Sequence, residues 1–480
     1  MTEDLKAMGT PTKQFFVNML TRDIDLRDAI LDLLDNCLDG VVRQKKKVDL
    51  KWNKEYYSGF HAKITITSDK FVIEDNCGGI PLDIARKYAF RMGKDPEDSE
   101  GNADLPTVGV YGIGMKRAIF KMGNSAKIIS KSNNHTYSVS INESWITDSK
   151  NWDFPIEMQD RSLMVVEGTK IEIENLNDKT KFAWSEKQLE GFVDSLRKSI
   201  EESYSFIVQK GFSIEVNEKP IVANPINVMV GSPDSEKGFK PYVFEKAYKV
   251  DEGVVNVKFI LGFYNSLHTQ AEDEEIAQNK RSSSQAGWTV TCNDRVVLYN
   301  DKTYLTGWGE KPVPSFHNQF IGICGVVMFE SIKPKLLPMT TTKRGIDLSS
   351  PIYSDVKNYM RDALKMFTSY TNIWKGRIDE ERKISSKAEK ISVVEIFSNS
   401  KDYGINLQEK RKGKFFEPTL PKPKKEENIN FIRYSRPSKQ IDFLRECLFC
   451  ESDPNEITPT EVGEKCFDKI YLEMKEKKNE

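Results

Sequence analysis

The segment from Phe15 to Gly40 predicts helix, with Asp25 as a candidate N-cap, and polar side chains interrupt its apolar face. Apolar residues recur there at helical spacing; they are Leu26, Ala29, Ile30, Leu33, Leu34, Cys37 and Leu38. Asp32, Asn36 and Asp39 are spaced i, i+4 and i+7, so they share a face of this helix. Gly40 is expected to end it. Burying such groups without partners costs roughly 2–7 kcal/mol each. The pattern therefore predicts either a polar ligand against the helix or a polar face in water.

A magnesium-bound triphosphate is one ligand that would satisfy these groups. Mg²⁺ prefers oxygen ligands, and the side chain of Asn36 offers a carbonyl oxygen. Asp32 lies one helical turn earlier and is placed to hold and deprotonate an attacking water. The segment therefore predicts Asn36 as a metal ligand and Asp32 as a catalytic acid–base residue.

A second group of polar and small residues follows a predicted strand and begins at Asp75. A carboxylate at a strand end can accept a hydrogen bond from the amino group of adenine. Gly78 and Gly79 lack a Cβ, so the backbone can approach a flat base closely. Ile80 and Pro81 would wall the base pocket. The same residues are also typical of a plain turn.

A third group places glycines directly before a predicted helix. Gly109, Gly112 and Gly114 precede a helical segment that ends at Met122. Backbone N–H groups and the helix dipole at such a position favour an anion, and Lys116 would add a positive charge. The polar stretch 91–108 before it is typical of a lid that closes over a ligand. A tight packing loop is the alternative.

Composition restricts the class of protein. At 480 residues, two or three domains are expected. The formal charge of −1 argues against a nucleic-acid binder over the whole surface, but a local basic patch stays open. No apolar run is long enough to cross a bilayer, and the N-terminus lacks the apolar core of a signal peptide. Seven scattered cysteines are typical of reduced thiols, so we expect a cytoplasmic protein without membrane contact.

The order and spacing of these motifs resemble those of the GHKL ATPase superfamily, which contains gyrase, heat-shock chaperones, sensor histidine kinases and MutL. The resemblance extends over about the first 180 residues, and in layout MORC-like and MutL-like members are the most similar. It implies an α+β fold, with a Bergerat-type α/β sandwich ATPase domain followed by a transducer-like α/β domain and a small helical C-terminal region. It also implies ATP and Mg²⁺ as cofactors.

The resemblance assigns roles to individual residues. Asp32 takes the position of the catalytic glutamate, and Asn36 that of the magnesium-binding asparagine. Asp75 matches the adenine-binding aspartate, and Thr169 the threonine that supports the adenine pocket. The remaining expected nucleotide contacts are Asp39, Gly79, Ile80, Gly109, Tyr111, Gly112, Ile113, Gly114, Met115 and Lys116.

Three positions depart from the family pattern. Aspartate replaces glutamate at residue 32, so the carboxylate reaches about one methylene less far. A displacement of about 1 Å can lower the rate ~100-fold, so slow hydrolysis is expected. Cys77 stands where the second motif usually has its first glycine, and Gly40 replaces a common alanine.

The second half of the chain resembles the transducer domain of MutL-like and MORC-like members. Asn293 and Arg295 lie in a segment similar to their Asn-Gly-Arg turn, and Lys343 in one similar to the loop that carries a lysine to the γ-phosphate. Lys343 is therefore expected to be a catalytic residue, as Asp32 is, and to sense whether ATP or ADP is bound; a solvated Lys-Arg pair is the alternative. We expect domains at 1–181 and 182–390, a Pro/Lys-rich linker at 391–430 and a helical region at 431–480.

The layout implies an ATPase that dimerises when ATP binds and acts as a conformational clamp on a macromolecule. DNA is the expected client in maintenance or defence, contacted by the basic residues between Lys410 and Lys425. Such a charge run is also typical of a solvated linker. The alternatives are a chaperone-like or signalling ATPase with a protein client, and a nucleotide-dependent scaffold with little turnover.

Overall fold

Two large β-sheets organise the chain, one in each half. The computed structural model describes residues 12–45, 55–91, 105–109, 112–148, 151–232, 238–268, 285–410, 413–423, 432–449 and 457–479. Helices pack against both sheets. The fold is therefore α+β, as predicted.

The first sheet has eight strands. In chain order they are β1 His61–Ile66, β2 Phe71–Asp75, β3 Gly123–Ser132, β4 His135–Ile141, β5 Ile156–Met158, β6 Gly168–Leu176, β7 Ser213–Val216 and β8 Lys219–Pro220. Their order across the sheet is β5-β4-β3-β6-β2-β1-β7-β8. The β1–β7 pair is parallel, and the other pairs are antiparallel.

Helices cover this sheet and enclose the first hydrophobic core. They are α1 Lys13–Arg22, α2 Leu26–Lys45, α3 Leu82–Ile84, which continues as a π-helix over Ala85–Ala89, α4 Gly114–Met122, α5 Glu143–Thr147, α6 Asp178–Ala183, α7 Leu189–Ser203 and α8 Ser205–Gln209. The helix α2 packs on α4, and Leu34 of α2 shares the core with Ile64 and Ile73 of the sheet. The predicted apolar face of α2 is thus buried.

The predicted helix over Phe15–Gly40 is two helices, and the break lies between α1 and α2. Asp25 accepts a hydrogen bond from the Asp28 N–H at 2.9 Å, as a capping residue does. The expectation that Gly40 ends the helix is wrong, because α2 continues to Lys45. A Cβ on Gly40 would lie 2.6 Å from the carbonyl oxygen of Cys77. Glycine is therefore required here by close packing and not by a helix end.

The second sheet has seven strands. In chain order they are β10 Tyr242–Val250, β11 Gly253–Phe263, β12 Gly287–Cys292, β13 Arg295–Asp301, β14 Ile323–Glu330, β16 Gln408–Lys410 and β17 Gly413–Phe416. The order of these seven strands across the sheet is β13-β12-β14-β11-β10-β17-β16. A separate two-stranded pair is formed by β9 Asn227–Val230 and β15 Glu389–Ser392.

Helices cover both faces of the second sheet. They are α9 Pro351–Ile373, α10 Ile378–Ser385 and α11 Val393–Ser398. Neighbouring residues of β11 enter different cores, since side chains alternate along a strand. Phe259 packs in the core that contains Met360 of α9, and Ile260 packs in the core that contains Ile396 of α11.

Two predicted segment boundaries differ from the ends of the packed units in the structure. The first core extends to Ile221, because α7, α8 and β7 pack on the first sheet, which is beyond the expected boundary at residue 181. Part of the expected linker 391–430 belongs to the second unit. There β17 pairs with β10, and the indole N–H of Trp374 donates to the carbonyl oxygen of Pro421 at 3.1 Å.

The last described elements are α12 Ser438–Leu448 and α13 Pro459–Asn479, which pack on each other. They agree with the predicted helical C-terminal region. Among the described residues, no helix combines the length and apolar character that a membrane span requires.

Gly40→Ala is expected to lower the free energy of unfolding by roughly 1–3 kcal/mol, as overpacking does. The new Cβ would also lie 2.9 Å from the Cβ of Cys77. The double variant Gly40→Ala/Cys77→Gly is expected to recover part of the loss, because it removes that contact. Urea unfolding measures both effects.

Gly191→Ala is the matched control for this experiment. Gly191 lies in α7, and a Cβ there meets nothing within 4 Å. A gain of up to about 1 kcal/mol is expected from helix propensity alone. A Gly40→Ala variant as stable as the natural chain would contradict the packing explanation.

Candidate nucleotide-binding site

The polar residues of α2 form the floor of the site. Asp32, Asp35 and Asp39 have exposed fractions of 4%, 1% and 6%. The sequence interpretation named Asp32 and Asp39 but missed Asp35, although it directly precedes Asn36. Three buried acids on one helix require positive partners or hydrogen bonds.

Asp35 is bound by three side chains from distant parts of the chain. Tyr204 donates its hydroxyl to Oδ1 at 2.8 Å, and Arg295 donates Nε–H to the same oxygen at 3.0 Å. Lys343 donates from Nζ to Oδ2 at 2.7 Å. Burial alone would raise the pKa of Asp35, but Lys343 and Arg295 hold it below its ordinary value. Asp35 is thus an ionised hub between α2 and the second domain.

Asp32 is also paired on both oxygens. Arg117 donates Nε–H to Oδ2 at 3.2 Å and binds the same oxygen through Nη2. Lys343 donates from Nζ to Oδ1 at 3.3 Å. The sequence interpretation missed Arg117; its place in the first turn of α4, beside Lys116, was the available signal. The structure brings Lys343 to Asp32, and its expected contact with the γ-phosphate stays a prediction.

Asn36 and Asp39 differ in their surroundings. The amide nitrogen of Asn36 is buried without a hydrogen-bond partner within the described part of the chain. Asp39 accepts hydrogen bonds from the N–H groups of Val108 at 2.7 Å and Gly109 at 2.9 Å. Asp39 therefore anchors the chain just before the glycine-rich loop. Asn36 retains unused hydrogen-bonding capacity.

These residues fit a magnesium ion held together with phosphates. Among the described residues, no three His, Cys, Asp or Glu side chains form a metal cage. Mg²⁺ in nucleotide sites commonly binds one or two protein oxygens, water and phosphate oxygens. The side chain of Asn36 can supply such an oxygen, and its unpartnered amide would then find a partner in the phosphates or their water.

The residues expected around the base lie together at the ends of β2 and β6. Oδ1 of Asp75 accepts from the N–H of Cys77 at 2.7 Å and of Thr169 at 3.3 Å. These bonds fix the orientation of the carboxylate, whose pKa is raised by burial. Gly79 has a φ of +65°, and a Cβ there would collide with the backbone of Lys131.

Ile80 completes this end of the site. Its N–H donates to Oγ of Ser130 at 2.7 Å, and its carbonyl accepts from the hydroxyl of Tyr137 at 2.8 Å. Both partners belong to the β3–β4 hairpin. The backbone of the predicted pocket wall is thus held in place, and its side chain is partly buried against the first core.

The glycine-rich loop leads into α4 beside Asp32. Gly112 has a φ of +69°, and the Cβ position of Gly114 lies 3.5 Å from the Cβ of Asp32. Ile113 and Met115 flank Gly114 at the start of this helix. The expected contact Tyr111 lies outside the described residues.

Lys116 occupies a different position from the one expected for a phosphate contact. It is buried and donates from Nζ to the carbonyl oxygens of Ala89, at 2.9 Å, and Gly112. These carbonyls lie before and after residues 90–111. In this structure Lys116 joins the two ends of the predicted lid, and its phosphate contact stays a prediction.

A two-residue turn of the second domain contacts the first domain beside the site. Asn293 and Asp294, between β12 and β13, have φ values of 47° and 67°, which L residues seldom adopt. Asn293 donates from Nδ2 to the carbonyl of Thr107 at 3.2 Å. Asp294 binds Nζ of Lys210 at 2.6 Å and the hydroxyl of Tyr57 at 3.2 Å. The turn thus ties the second sheet to Thr107, near the end of the predicted lid.

Residues 24–172 match a protein-family model described as "Histidine kinase-, DNA gyrase B-, and HSP90-like ATPase". The matched range contains α2, the Asp75 strand end, the glycine-rich loop and Thr169. This segment is a GHKL ATPase domain. No curated protein sequence matches the chain closely enough to add a relative.

The GHKL assignment confirms the family expected from the motifs and supports ATP as the ligand of this site. ATP hydrolysis is the general activity of such domains. The match does not separate MORC-like or MutL-like members from the others, and it ends before the second domain.

Glu330, at the end of β14, is a buried acid close to the turn at Asn293 and Asp294. Burial raises the pKa of Glu330 to about 7, although Lys210 and Lys258 lower it in part. Asp294 and Glu245 also face it and raise the pKa further. Folding therefore favours the protonated form of this carboxyl group.

This shift predicts a pH-dependent stability. The favourable contribution of protonated Glu330 is complete below its unfolded pKa of 4.5 and is lost as pH rises through about 7. The natural chain should lose up to ~3 kcal/mol across that range relative to Glu330→Gln, which cannot ionise. Thermal unfolding at pH 5 and pH 8 measures the difference. Glu252→Gln, at an exposed turn, is the control, and equal pH profiles for Glu330→Gln and the natural chain would contradict the prediction.

Proposed function

We propose that the protein is an ATP-driven conformational clamp. It binds Mg·ATP between α2 and the glycine-rich loop, hydrolyses it slowly, and transmits the state of the site to its second domain. One observation carries this proposal: Lys343 of the second domain contacts both Asp32 and Asp35 of α2. A cation shared by the two domains at this point would respond directly to the charge of a bound nucleotide.

Binding divides between a base end and a phosphate end. Asp75 would accept a hydrogen bond from the adenine amino group, with Gly79, Ile80 and Thr169 around the ring. Asn36 would hold Mg²⁺ together with the phosphate oxygens. The phosphates would lie at the start of α4, where backbone N–H groups attract anions; the proposed contacts there are Gly109, Tyr111, Gly112, Ile113, Gly114, Met115 and Lys116.

Hydrolysis requires a water aligned with the terminal phosphorus. Asp32 would orient this water and take its proton, while the new P–O bond forms and the bond to ADP breaks. Mg²⁺ bound beside Asn36 would offset the charge on the phosphates. Because Asp32 is one methylene shorter than glutamate, its alignment with the water is poorer and turnover is slow.

Lys343 would couple ATP hydrolysis to the conformation of the second domain. Its Nζ–H groups can bind a terminal phosphate as well as the carboxylates that they bind here. Loss of that phosphate after hydrolysis would return Lys343 to Asp32 and Asp35. The loop that carries it, and with it the second sheet, would therefore differ between ATP- and ADP-bound protein.

Two substitutions on α2 test the site. Asn36→Ala should abolish magnesium-dependent ATP binding, because the metal loses its protein ligand. Asp32→Asn should keep binding but lower turnover about 10²–10⁴-fold, the usual contribution of a general base. Calorimetry and phosphate release measure the two effects. Asp69→Asn, in the exposed β1–β2 turn, is the control. An Asp32→Asn variant with the natural rate would exclude Asp32 as the base.

We further propose that ATP brings two copies of the chain together through α1. Phe15 and Met19 of this helix are 57% and 56% exposed, and α1 packs on α4, which begins at the glycine-rich loop. Lys121 of α4 donates to the carbonyl of Thr21 at 2.9 Å. A change at the glycine-rich loop would thus reach the exposed face of α1 directly.

Size-exclusion chromatography with a non-hydrolysable ATP analogue tests whether ATP causes dimerisation. The natural chain should elute as a dimer with the analogue and as a monomer with ADP. Phe15→Glu/Met19→Glu should remain monomeric while it still binds the analogue, because only exposed apolar area is removed. A natural chain that stays monomeric with the analogue would contradict the proposal.

DNA is the proposed client of the clamp. The basic segment that begins at Lys410 lies partly outside the described residues, and β16 and β17 attach part of it to the edge of the second sheet. Contact with DNA phosphates implies binding that weakens steeply with salt and turnover that duplex DNA stimulates. A flat response to both would favour a protein client. ATP binding without measurable turnover would favour a nucleotide-dependent scaffold.

A further inference from the structure

Both oxygens of Asp32 are occupied by cations. Arg117 binds Oδ2 through Nε and Nη2, and Lys343 binds Oδ1. A carboxylate that takes a proton from water needs an oxygen directed at that water. Arg117 takes both acceptor positions of Oδ2, so this oxygen can face the water only after Arg117 leaves it.

Other cations near the site have fixed structural partners. Arg295 is buried; it binds Asp35 and donates to the carbonyls of Ser203 and Val296. Lys116 donates to the backbone carbonyls of Ala89 and Gly112 on either side of the predicted lid. Arg117 differs, because its described partner is the proposed catalytic carboxylate itself, and 13% of its side chain remains exposed.

The position of Arg117 limits where it can act. It lies in the first turn of α4, and the Cβ position of Gly114 in that turn is 3.5 Å from the Cβ of Asp32. An attacking water lies about 3–3.5 Å from each group that it joins in a reactive arrangement. If Asp32 holds the attacking water, a guanidinium bound to Asp32 would lie beside the terminal phosphate of the proposed complex.

We propose that Arg117 is a ligand of the γ-phosphate and exchanges Asp32 for it when ATP binds. This inference rests on the proposed function. The planar guanidinium makes paired hydrogen bonds to carboxylate and to phosphate with similar geometry, so the exchange replaces one charge-assisted contact by another. It frees Oδ2 of Asp32 for the attacking water. ADP lacks the γ-phosphate, so Arg117 returns to Asp32 and again blocks the base.

A purely structural role for Arg117 makes a different prediction. If Arg117 only fastened α4 to α2, its loss would destabilise the fold and weaken ATP and ADP to the same degree. A phosphate ligand affects the two nucleotides unequally. The ratio of the ATP and ADP dissociation constants is therefore the decisive measurement.

The experiment compares Arg117→Gln, Arg117→Ala and Arg117→Lys in the full chain. Calorimetry with Mg²⁺ and either a non-hydrolysable ATP analogue or ADP gives the two dissociation constants. In the Gln and Ala variants the γ-phosphate would lie beside the Asp32 carboxylate without the guanidinium that offsets their repulsion, so the analogue should bind about 10- to 100-fold more weakly and ADP should bind unchanged. Lysine keeps the charge but not the paired geometry, so it should fall between them and the natural chain.

Arg344→Ala is the matched control, because Arg344 pairs with Asp28 one helical turn before Asp32. It should keep the natural ratio. Thermal unfolding identifies any variant that fails to fold, and Arg117→Gln, which retains length and a donor, keeps the test available in that case. If folded Arg117→Gln and Arg117→Lys have the same ratio of analogue and ADP dissociation constants as the natural chain, this inference is wrong, but the proposed function is not affected. Absence of nucleotide binding by the natural chain would instead overturn the proposed function.

Discussion

A buried carboxylate, Asp35, joins the two domains of this protein. Its partners are Tyr204, which lies between α7 and α8, Arg295 at the start of β13, and Lys343 in the segment between β14 and α9. Removing one partner of a buried ion pair leaves an uncompensated charge, which costs about 3–5 kcal/mol. The domains therefore cannot separate here unless another cation replaces Arg295 or Lys343 at Asp35.

Steric compensation between neighbouring residues explains the packing at the base end of the site. Cys77 stands where the family usually has glycine, and Gly40 where it usually has alanine. These departures compensate sterically, since a Cβ on Gly40 would meet both the carbonyl oxygen and the Cβ of Cys77. Gly168 is required for a related reason, because a Cβ there would collide with the backbone of Asp75. The base pocket keeps its shape through a different pair of small residues.

Local patterns predicted much of the first domain. The burial of the α2 apolar face, the start of α4 after the glycines and the GHKL family all follow from periodicity and motif order. The error at Gly40 has a physical cause. Sequence patterns read Gly40 as a helix end, because they contain no information about Cys77 packing against it. Sequence patterns also did not show that the first core extends beyond residue 181, because α7 and β7 join it through contacts with distant strands.

The sequence by itself determined which residue types face one another within an element: Asp32, Asn36 and Asp39 on one side of α2, and glycines before α4. Helical and strand periods are local, so spacing alone is enough to show this. Only the tertiary structure decided which charges meet. Asp32 and Asp35 find Arg117, Arg295 and Lys343 at separations of 85, 260 and 308 residues. No period relates such positions, because their proximity comes from the packing of two domains around buried charge.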